Sequence, residues 1–273
     1  MNTISTIVKG NQNSFFWLMQ FLPKAKKVGA YTIFAFNHHV EKEIVKSDLS
    51  NDEKLEMLNA WREEIDNIFD KKVPQTDIGR KIYKNCLRFS LKKQTFVDVI
   101  EAYIDSIREY PFNPTLAEYM RYARGVYGGR IEMGLKIFNV TDKQISLLMA
   151  EFIHPVVALE NMKEDTLLGF IYTPKEFLRD AGITSKVPQE IIVDPKLSIA
   201  REKMLKLASE NLLKLEAYYK NVDKKNLKII RGFANIYKKY LEIMQTRGME
   251  VIAPKPLLSN FAKMKIILKS MLG

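Results

Sequence analysis

Residues Val157–Leu178 read VALENMKEDTLLGFIYTPKEFL, and the fold assignment starts from this stretch. On a helix, Val157, Asn161 and Asp165 are spaced four residues apart and share one face, with Glu164 beside them. Oxygen ligands at that spacing suit Mg²⁺, which binds carboxylates together with phosphate and water oxygens. An acidic helix end at the protein surface has the same spacing and is a commoner feature. The spacing alone therefore leaves a metal site and a solvated helix end as alternatives.

The composition of the chain predicts an all-α protein. Gly and Pro number only 12 and 10 among 273 residues, and no Asn-Gly or Asp-Gly pair is present to close a β-hairpin. Good helix formers such as Leu, Lys, Glu, Met and Ala dominate one segment after another. Hydrophobic residues make up 47% of the chain, which is enough for a sizeable core. Because no low-complexity linker interrupts this pattern, we expect residues 1–273 to form one helical domain.

Capping residues and prolines predict several helix boundaries. One helix is expected to continue to about Lys46, and the next to begin with a cap at Ser50 or Asn51. A cap at Thr141 is expected to start the helix that leads into the opening stretch. Pro155 lies inside that helix and predicts a kink, because proline lacks the N–H that an interior helical position donates.

The chain is strongly basic, with 43 Lys and Arg residues against 32 Asp and Glu residues and a net charge of +11. This excess favours anionic partners such as phosphates, a lipid surface or nucleic acid, although a lysine-rich surface without such a partner fits equally well. No nucleic-acid-binding module accompanies the charge. We therefore do not expect nucleic acid as a partner.

Cysteine content and hydropathy predict an intracellular protein. Cys86 is the single cysteine, so no disulfide can form within the chain, which suits a reducing compartment. The chain contains no run of about 18 apolar residues that would predict a membrane span. Its first residues also lack the apolar segment of a signal peptide. A cytoplasmic location is expected.

The order of motifs along the chain resembles the squalene/phytoene synthase family. That family's second aspartate-rich segment typically reads N-I-L-R-D-V-x-E-D, three residues, then G-R-x-Y-x-P, and the opening stretch matches the end of it without gaps. The matching positions are Glu164, Asp165, Gly169, Tyr172 and Pro174. NSFFWLMQFLPKAKKVGAYTIFAF and IEAYIDSIREYPFNPTLAEYMRYARGVYGG resemble the family's opening and middle segments, in the same order. The chain is therefore identified as a divergent member of this family over most of its length.

This resemblance implies a fold and a chemistry. The fold would be a helical bundle of the isoprenoid synthase type with a central cavity, and the activity would join two prenyl diphosphates, farnesyl or geranylgeranyl, head to head. Mg²⁺ would bridge carboxylates on two facing helices to the diphosphates, because carboxylates can face so anionic a group only through cations. The implied metal ligands are Glu41, Asn161, Glu164 and Asp165, with Glu41 and Asp165 as the catalytic pair. The implied substrate-binding residues are Ser14, Phe15, Phe34, His38, Tyr122 and Tyr172.

The two aspartate motifs are incomplete in this chain. The family's first motif, Y-A-F-x-R-x-x-D-D-x-x-D, aligns with FAFNHHVEKEIV, which places His38 at its arginine, Glu41 at its first ligand and Val45 at its second. In the second motif, Val157 replaces the asparagine and Asn161 replaces the first aspartate. Loss of charged ligands from both helices is expected to weaken or alter the family's activity.

A non-catalytic role is the alternative. The superfamily also contains members without the aspartates, such as a mitochondrial complex I assembly factor, and resemblance to that branch would make this chain a lipid-binding or assembly factor. The two hypotheses differ in geometry. An enzyme requires Glu41 and Asp165 to face each other across a cavity.

The C-terminal segment NFAKMKIILKSMLG predicts an amphipathic helix with lysines beside an apolar face. Such a helix fits the surface of an anionic bilayer, and it fits equally well against the rest of a helical bundle. Peripheral contact with the inner face of a membrane is therefore one expectation for this protein.

Overall fold

The computed structural model describes residues 3–10, 14–222 and 227–272. Within these ranges the chain is all-α, and its helices are numbered here in chain order. They are α1 (Thr3–Gly10), α2 (Ser14–Gln20), α3 (Lys24–His38), α4 (Asn51–Phe69), α5 (Asp77–Phe89), α6 (Lys93–Arg108), α7 (Leu116–Ala123), α8 (Gly129–Ile137), α9 (Lys143–Glu160), α10 (Met162–Leu167), α11 (Lys175–Asp180), α12 (Pro188–Val193), α13 (Leu197–Tyr219), α14 (Lys228–Arg247) and α15 (Asn260–Leu272). Two π-helical turns extend α3 and α7, namely π1 (His39–Val45) and π2 (Arg124–Gly128).

Helix α9 lies at the centre of the bundle. Its side chains are buried on nearly every face, from Ile145 to Leu159, as expected for a helix that is apolar all round. It packs against α13 on one side and against π2 and α8 on the other, while α4 packs on α6 and α14 on α15. One hydrophobic core connects these layers. The stretch Val157–Leu178 begins in the last turn of α9 and continues through α10 into α11.

Of the two N-caps predicted from the sequence, the structure confirms one and contradicts the other. Ser50 caps α4 through a full capping box, because its hydroxyl accepts the Glu53 N–H while the Glu53 carboxylate accepts the Ser50 N–H. The expected cap at Thr141 is wrong. Asp142 is the N-cap of α9, and its carboxylate accepts the Gln144 N–H at 2.9 Å. A carboxylate caps a helix at least as well as a hydroxyl, so the neighbouring residue takes that position.

Helix α9 runs through Pro155 without a break. The proline leaves the carbonyl of Glu151 without its usual helical N–H donor. The side-chain amide of Asn211, on α13, donates to that carbonyl at 3.0 Å. Asn211 is itself buried, so α13 supplies inside the core the hydrogen bond that the proline removes.

The glycines before α8 allow close helix packing. A Cβ atom at Gly129 would lie 2.5 Å from Val99, and one at Gly125 would lie 2.8 Å from Ala102. Both contacts are with α6, so π2 and the start of α8 approach α6 more closely than side chains would permit. This approach brings Tyr127 and Arg130 to the wall of the central cavity.

Within residues 3–10, 14–222 and 227–272, no helix combines the length and the apolar character that a membrane span requires.

Candidate functional site

A cavity of about 350 Å³ opens between α2, α3, α8, α9 and α14. Six of the residues that the resemblance assigned to the site line this cavity, and they come from α2, α3, π1 and the end of α9. They are Ser14, Phe15, Phe34, His38, Glu41 and Asn161. Apolar residues form most of the remaining wall, including Leu18, Ile33, Met149 and Phe233. The cavity therefore combines an apolar interior with a charged rim.

Aromatic side chains form one wall of the cavity. Phe34 stacks almost parallel to Phe15, with ring centroids 6.3 Å apart, and almost parallel to His38, at 6.0 Å. Phe233 meets Phe15 edge to face at 5.8 Å. Partial burial lowers the pKa of His38, so the imidazole is mostly neutral near pH 7. This wall suits a hydrocarbon chain better than an anion.

The predicted catalytic carboxylates, Glu41 and Asp165, meet at a single buried ammonium group. Lys46 Nζ lies 2.5 Å from Asp165 Oδ1 and 3.3 Å from Glu41 Oε1. The Lys46 side chain is only 8% exposed and that of Asp165 only 6%. Arg130 Nη1 donates to the other Glu41 oxygen at 2.7 Å, and its Nη2 donates to the Tyr103 hydroxyl. The two carboxylates are thus joined by a protein cation, whereas the enzyme hypothesis requires them to face each other across a cavity.

The charged groups of this cluster shift one another's pKa values, and their opposite charges balance. Burial alone would raise the pKa of Glu41, but Arg130 and Lys46 outweigh burial and hold that pKa well below its ordinary value. Burial alone would lower the pKa of Lys46, but Glu41 and Asp165 together raise it. For Asp165 burial outweighs the attraction of Lys46 and raises the pKa. The geometry, with an ammonium group in contact with the carboxylate, nevertheless favours an ionised Asp165 at neutral pH.

The π1 turn explains why Lys46 reaches this position. In an α-helix a residue five positions after Glu41 would be rotated about 140° away from it. The π turn instead closes a hydrogen bond from the Lys46 N–H to the Glu41 carbonyl, at 2.9 Å, and brings Lys46 back toward the same face. Val45, which the sequence alignment placed at the second ligand position, is fully buried in the core.

A smaller cavity of about 10 Å³ lies behind the charged cluster, among aromatic rings. Tyr122 and Tyr172, both assigned to the substrate site by the resemblance, share a hydrogen bond between their hydroxyls at 2.9 Å. His154 Nδ1 lies 2.9 Å from the Tyr119 hydroxyl. The Lys46 ammonium lies 5.7 Å from the centre of the Tyr172 ring, within the range of a cation–π contact. Tyr122 and Tyr172 therefore border the charged cluster and do not line the larger cavity.

The remaining predicted metal ligands contact a second lysine. Lys255 Nζ donates to Asn161 Oδ1 at 2.8 Å and lies 3.1 Å from Glu164 Oε1. Glu164 is half exposed and lines neither cavity. Glu160 lies on the cavity wall with Lys263, and burial raises the pKa of Glu160 to about 7.

These contacts test whether the residues fit the Mg²⁺ that the family implies. Each of the four predicted ligands, Glu41, Asn161, Glu164 and Asp165, already contacts a lysine or arginine. In the part of the chain that the structure describes, no three His, Cys, Asp or Glu side chains are grouped so that they could hold a metal ion. A cation bound between Glu41 and Asp165 would also meet the Lys46 ammonium. The residues present therefore do not fit a resident Mg²⁺.

Comparisons with known proteins agree with the motif order. The family model described as squalene/phytoene synthase matches residues 8–262. A presqualene diphosphate synthase from Sinorhizobium fredii is 23% identical over 261 residues, covering 94% of this chain and 92% of that protein. A crystal structure of a dehydrosqualene synthase superposes with a TM-score of 0.82 at 19% identity, covering 98% of this chain and 94% of that one. A squalene synthase from Alicyclobacillus acidocaldarius gives a TM-score of 0.76 at 17% identity, covering 90% and 92%.

Proposed function

The chain belongs to the squalene/phytoene synthase family, and on that premise we propose that it binds a prenyl diphosphate in the central cavity. The observation that carries this proposal is the cavity of about 350 Å³ with an aromatic wall and a charged rim. This volume is typical of small-molecule sites, which measure about 300–1,000 Å³. Farnesyl and geranylgeranyl diphosphate are the candidate ligands, because each joins an apolar chain to an anionic head group.

The prenyl chain would lie along the apolar part of the cavity. Phe15, Phe34 and Phe233 supply a continuous aromatic surface there, and Gly134 lies opposite Phe15. A Cβ atom at Gly134 would lie 3.7 Å from the Phe15 ring, an ordinary van der Waals contact, so the glycine leaves space in the cavity that a longer side chain would fill. Burial of a chain against such a surface contributes about 0.8 kcal/mol for each methylene group.

The diphosphate would lie at the charged rim. Among the described residues, the charged side chains that line this cavity are three cations and two carboxylates. They are Lys42, Arg130 and Lys263, and Glu41 and Glu160. This excess of positive charge favours a diphosphate without help from a metal ion.

Condensation of two prenyl diphosphates would be weakened or altered in this protein. Departure of a diphosphate needs positive charge that increases its contact with the leaving group as the bond breaks. The cations here already contact protein carboxylates, and the residues do not fit the Mg²⁺ that the family uses. We therefore expect the protein to bind a single prenyl diphosphate and to show weakened or altered condensation of two.

The proposal can be tested by filling the cavity. Gly134→Leu would place a branched side chain against the Phe15 ring, and it is expected to abolish binding of farnesyl and geranylgeranyl diphosphate in calorimetric titrations. Gly134→Ala is the matched control, because its methyl group makes only an ordinary contact, and it is expected to keep most of the affinity. Equal affinity for the wild type and Gly134→Leu would show that the ligand does not enter this cavity.

A non-catalytic role is the second candidate function. It is favoured by the neutralisation of Glu41 and Asp165 by Lys46 and Arg130, which leaves little carboxylate charge for metal-assisted chemistry. In that role the protein would be a lipid-binding factor or an assembly factor of the respiratory complex I type. Mass spectrometry of an incubation with both diphosphates distinguishes the two, because only an enzyme releases a longer prenyl product and free diphosphate.

Peripheral membrane contact in the cytoplasm is proposed for α15. Its outward side exposes Phe261, Leu268 and Leu272, with Lys265 and Lys269 close to them. Its inward side packs Ile267 into the core. A helix with exposed apolar residues and adjacent lysines fits an anionic bilayer surface, from which a prenyl lipid could enter the cavity.

A further inference from the structure

We propose that Lys46 is a built-in replacement for a divalent cation between Glu41 and Asp165. The first observation is its position. Lys46 Nζ contacts one oxygen of Asp165, which lies 119 residues further along the sequence, and one oxygen of Glu41. A cation that joins two facing carboxylates is what a metal ion between two motifs would provide, and here the chain provides it itself.

The second observation is the way in which the surroundings hold Lys46. Its ammonium group lies over the Tyr172 ring, and its side chain is almost fully buried. The π1 turn fixes the backbone of Lys46 through the hydrogen bond to the Glu41 carbonyl. A flexible surface lysine that happened to fold inward would have none of these three restraints. These restraints hold the ammonium group inside the site.

The third observation is the balance of charge. Glu41 and Asp165 carry two negative charges, and Lys46 and Arg130 carry two positive charges in direct contact with them. A divalent ion entering this cluster would gain little attraction overall and would be repelled by the nearby ammonium group. Removal of Lys46 alone would leave two facing carboxylates with a gap between them, which is the start of a divalent-cation site.

This inference extends to the ligand only through the proposed function, on which that extension rests. If a prenyl diphosphate binds at the rim, its head group would be held by protein cations such as Lys42 and Lys263, which line the same cavity. Chelation of divalent metal would then leave ligand affinity unchanged. The claim about Lys46 itself needs no prenyl ligand and can be tested with a metal ion alone.

The test uses Mn²⁺ as the probe, with free and bound ion distinguished by electron paramagnetic resonance. The wild-type chain is expected to show no Mn²⁺ binding that depends on Asp165. Lys46→Met is expected to gain affinity by about tenfold or more, because a like charge has been removed from between two ligands. Lys42→Met is the matched control. It removes a lysine 3.5 Å from Glu41 that is half exposed and does not lie between the carboxylates, so it should gain nothing.

The variant Lys46→Met leaves two buried carboxylates without their counter-ion and is expected to lose stability, which Mn²⁺ should restore as an increase in melting temperature. The double variant Lys46→Met/Asp165→Asn removes one of those carboxylates, and it should fold without metal and show no response to Mn²⁺. Two results would overturn the proposal: Mn²⁺ binding by the wild type that disappears in Asp165→Asn, or a Lys46→Met protein that gains neither affinity nor metal-dependent stability.

Discussion

His154 is a buried, neutral residue at the centre of the site. It lies among Tyr119, Tyr122, Tyr127 and Tyr172, with a hydrogen bond to the Tyr119 hydroxyl. Burial, with a smaller contribution from the charge of Lys46, lowers the pKa of His154 to about 3. A protonated imidazole would add another positive charge beside the buried ammonium. The tyrosine cluster therefore holds the histidine in its neutral form.

This pKa predicts a particular acid sensitivity. Between pH 6.5 and about 3 the unfolded chain binds a proton at His154 and the folded chain does not, so the free energy of unfolding decreases as the pH falls through this window. The contribution of one such proton is at most about 1.4 kcal/mol per pH unit. His154→Gln keeps a polar partner for Tyr119 but cannot bind this proton. Its free energy of unfolding, measured in urea, is therefore expected to decrease less steeply with falling pH than that of the wild type.

Above pH 7 the wild type and His154→Gln should differ by a constant amount, since neither binds a proton there. Parallel curves across the whole range would contradict the assignment of a depressed pKa to His154.

Some residues of the site could be predicted from the sequence, and others could not. Glu41 and Asp165 were predicted as a pair that faces each other across a cavity, and in the structure both carboxylates contact Lys46. Lys46 and Arg130 were not predicted. Helical periodicity turns a residue five positions after Glu41 away from it, and a single π turn leaves no periodicity of its own in the sequence. Arg130 reaches Glu41 from 89 residues away, which no local pattern records.

At the scale of elements, α9 and α13 depend on each other through Pro155. The helix continues through the proline, and the Asn211 amide donates to the carbonyl of Glu151. The kink that the sequence predicts here stays a prediction. The compensating donor was not predictable, because it comes from a helix that begins 37 residues after α9 ends. Whether a helix continues through a proline thus depends on a distant partner, which local helix propensity does not reveal.

A double-mutant cycle tests this coupling. Asn211→Ala leaves the buried Glu151 carbonyl without a donor and is expected to cost about 1–3 kcal/mol of unfolding free energy. In the Pro155→Ala background the alanine N–H can donate to the same carbonyl, so the cost of Asn211→Ala should be smaller. The coupling energy from urea unfolding is expected to be about 0.5–3 kcal/mol. Simple additivity of the two changes would exclude the proposed compensation.

At the scale of the whole molecule, the fold class and its order of helices followed from composition and motif order. The all-α bundle was expected from the scarcity of Gly and Pro, and the isoprenoid-synthase-type arrangement from the resemblance. The helix α5 was not predicted. Its buried residues Ile78, Ile82, Cys86 and Phe89 recur at helical spacing, so the segment carried an amphipathic helical pattern that the prediction missed.

Membrane contact belongs to the same scale. Phe261 on α15 is 77% exposed, and Leu87 on α5 is 90% exposed, so the two residues offer similar apolar surface at different places. Sedimentation with phosphatidylglycerol vesicles is expected to capture the wild type, and Phe261→Ser should weaken capture by roughly tenfold. Leu87→Ser is the matched control and should bind as the wild type does. Equal loss in both variants, or capture by neutral phosphatidylcholine vesicles, would contradict docking through α15.

The central claim is that this family member holds a prenyl diphosphate with its own cations in place of Mg²⁺. The most direct measurement is a calorimetric titration of the full chain with farnesyl diphosphate, once in Mg²⁺ and once in a chelator. We expect the same dissociation constant in both, with binding lost in Gly134→Leu. Binding that appears only when Mg²⁺ is present would contradict the claim and would restore a metal site between Glu41 and Asp165.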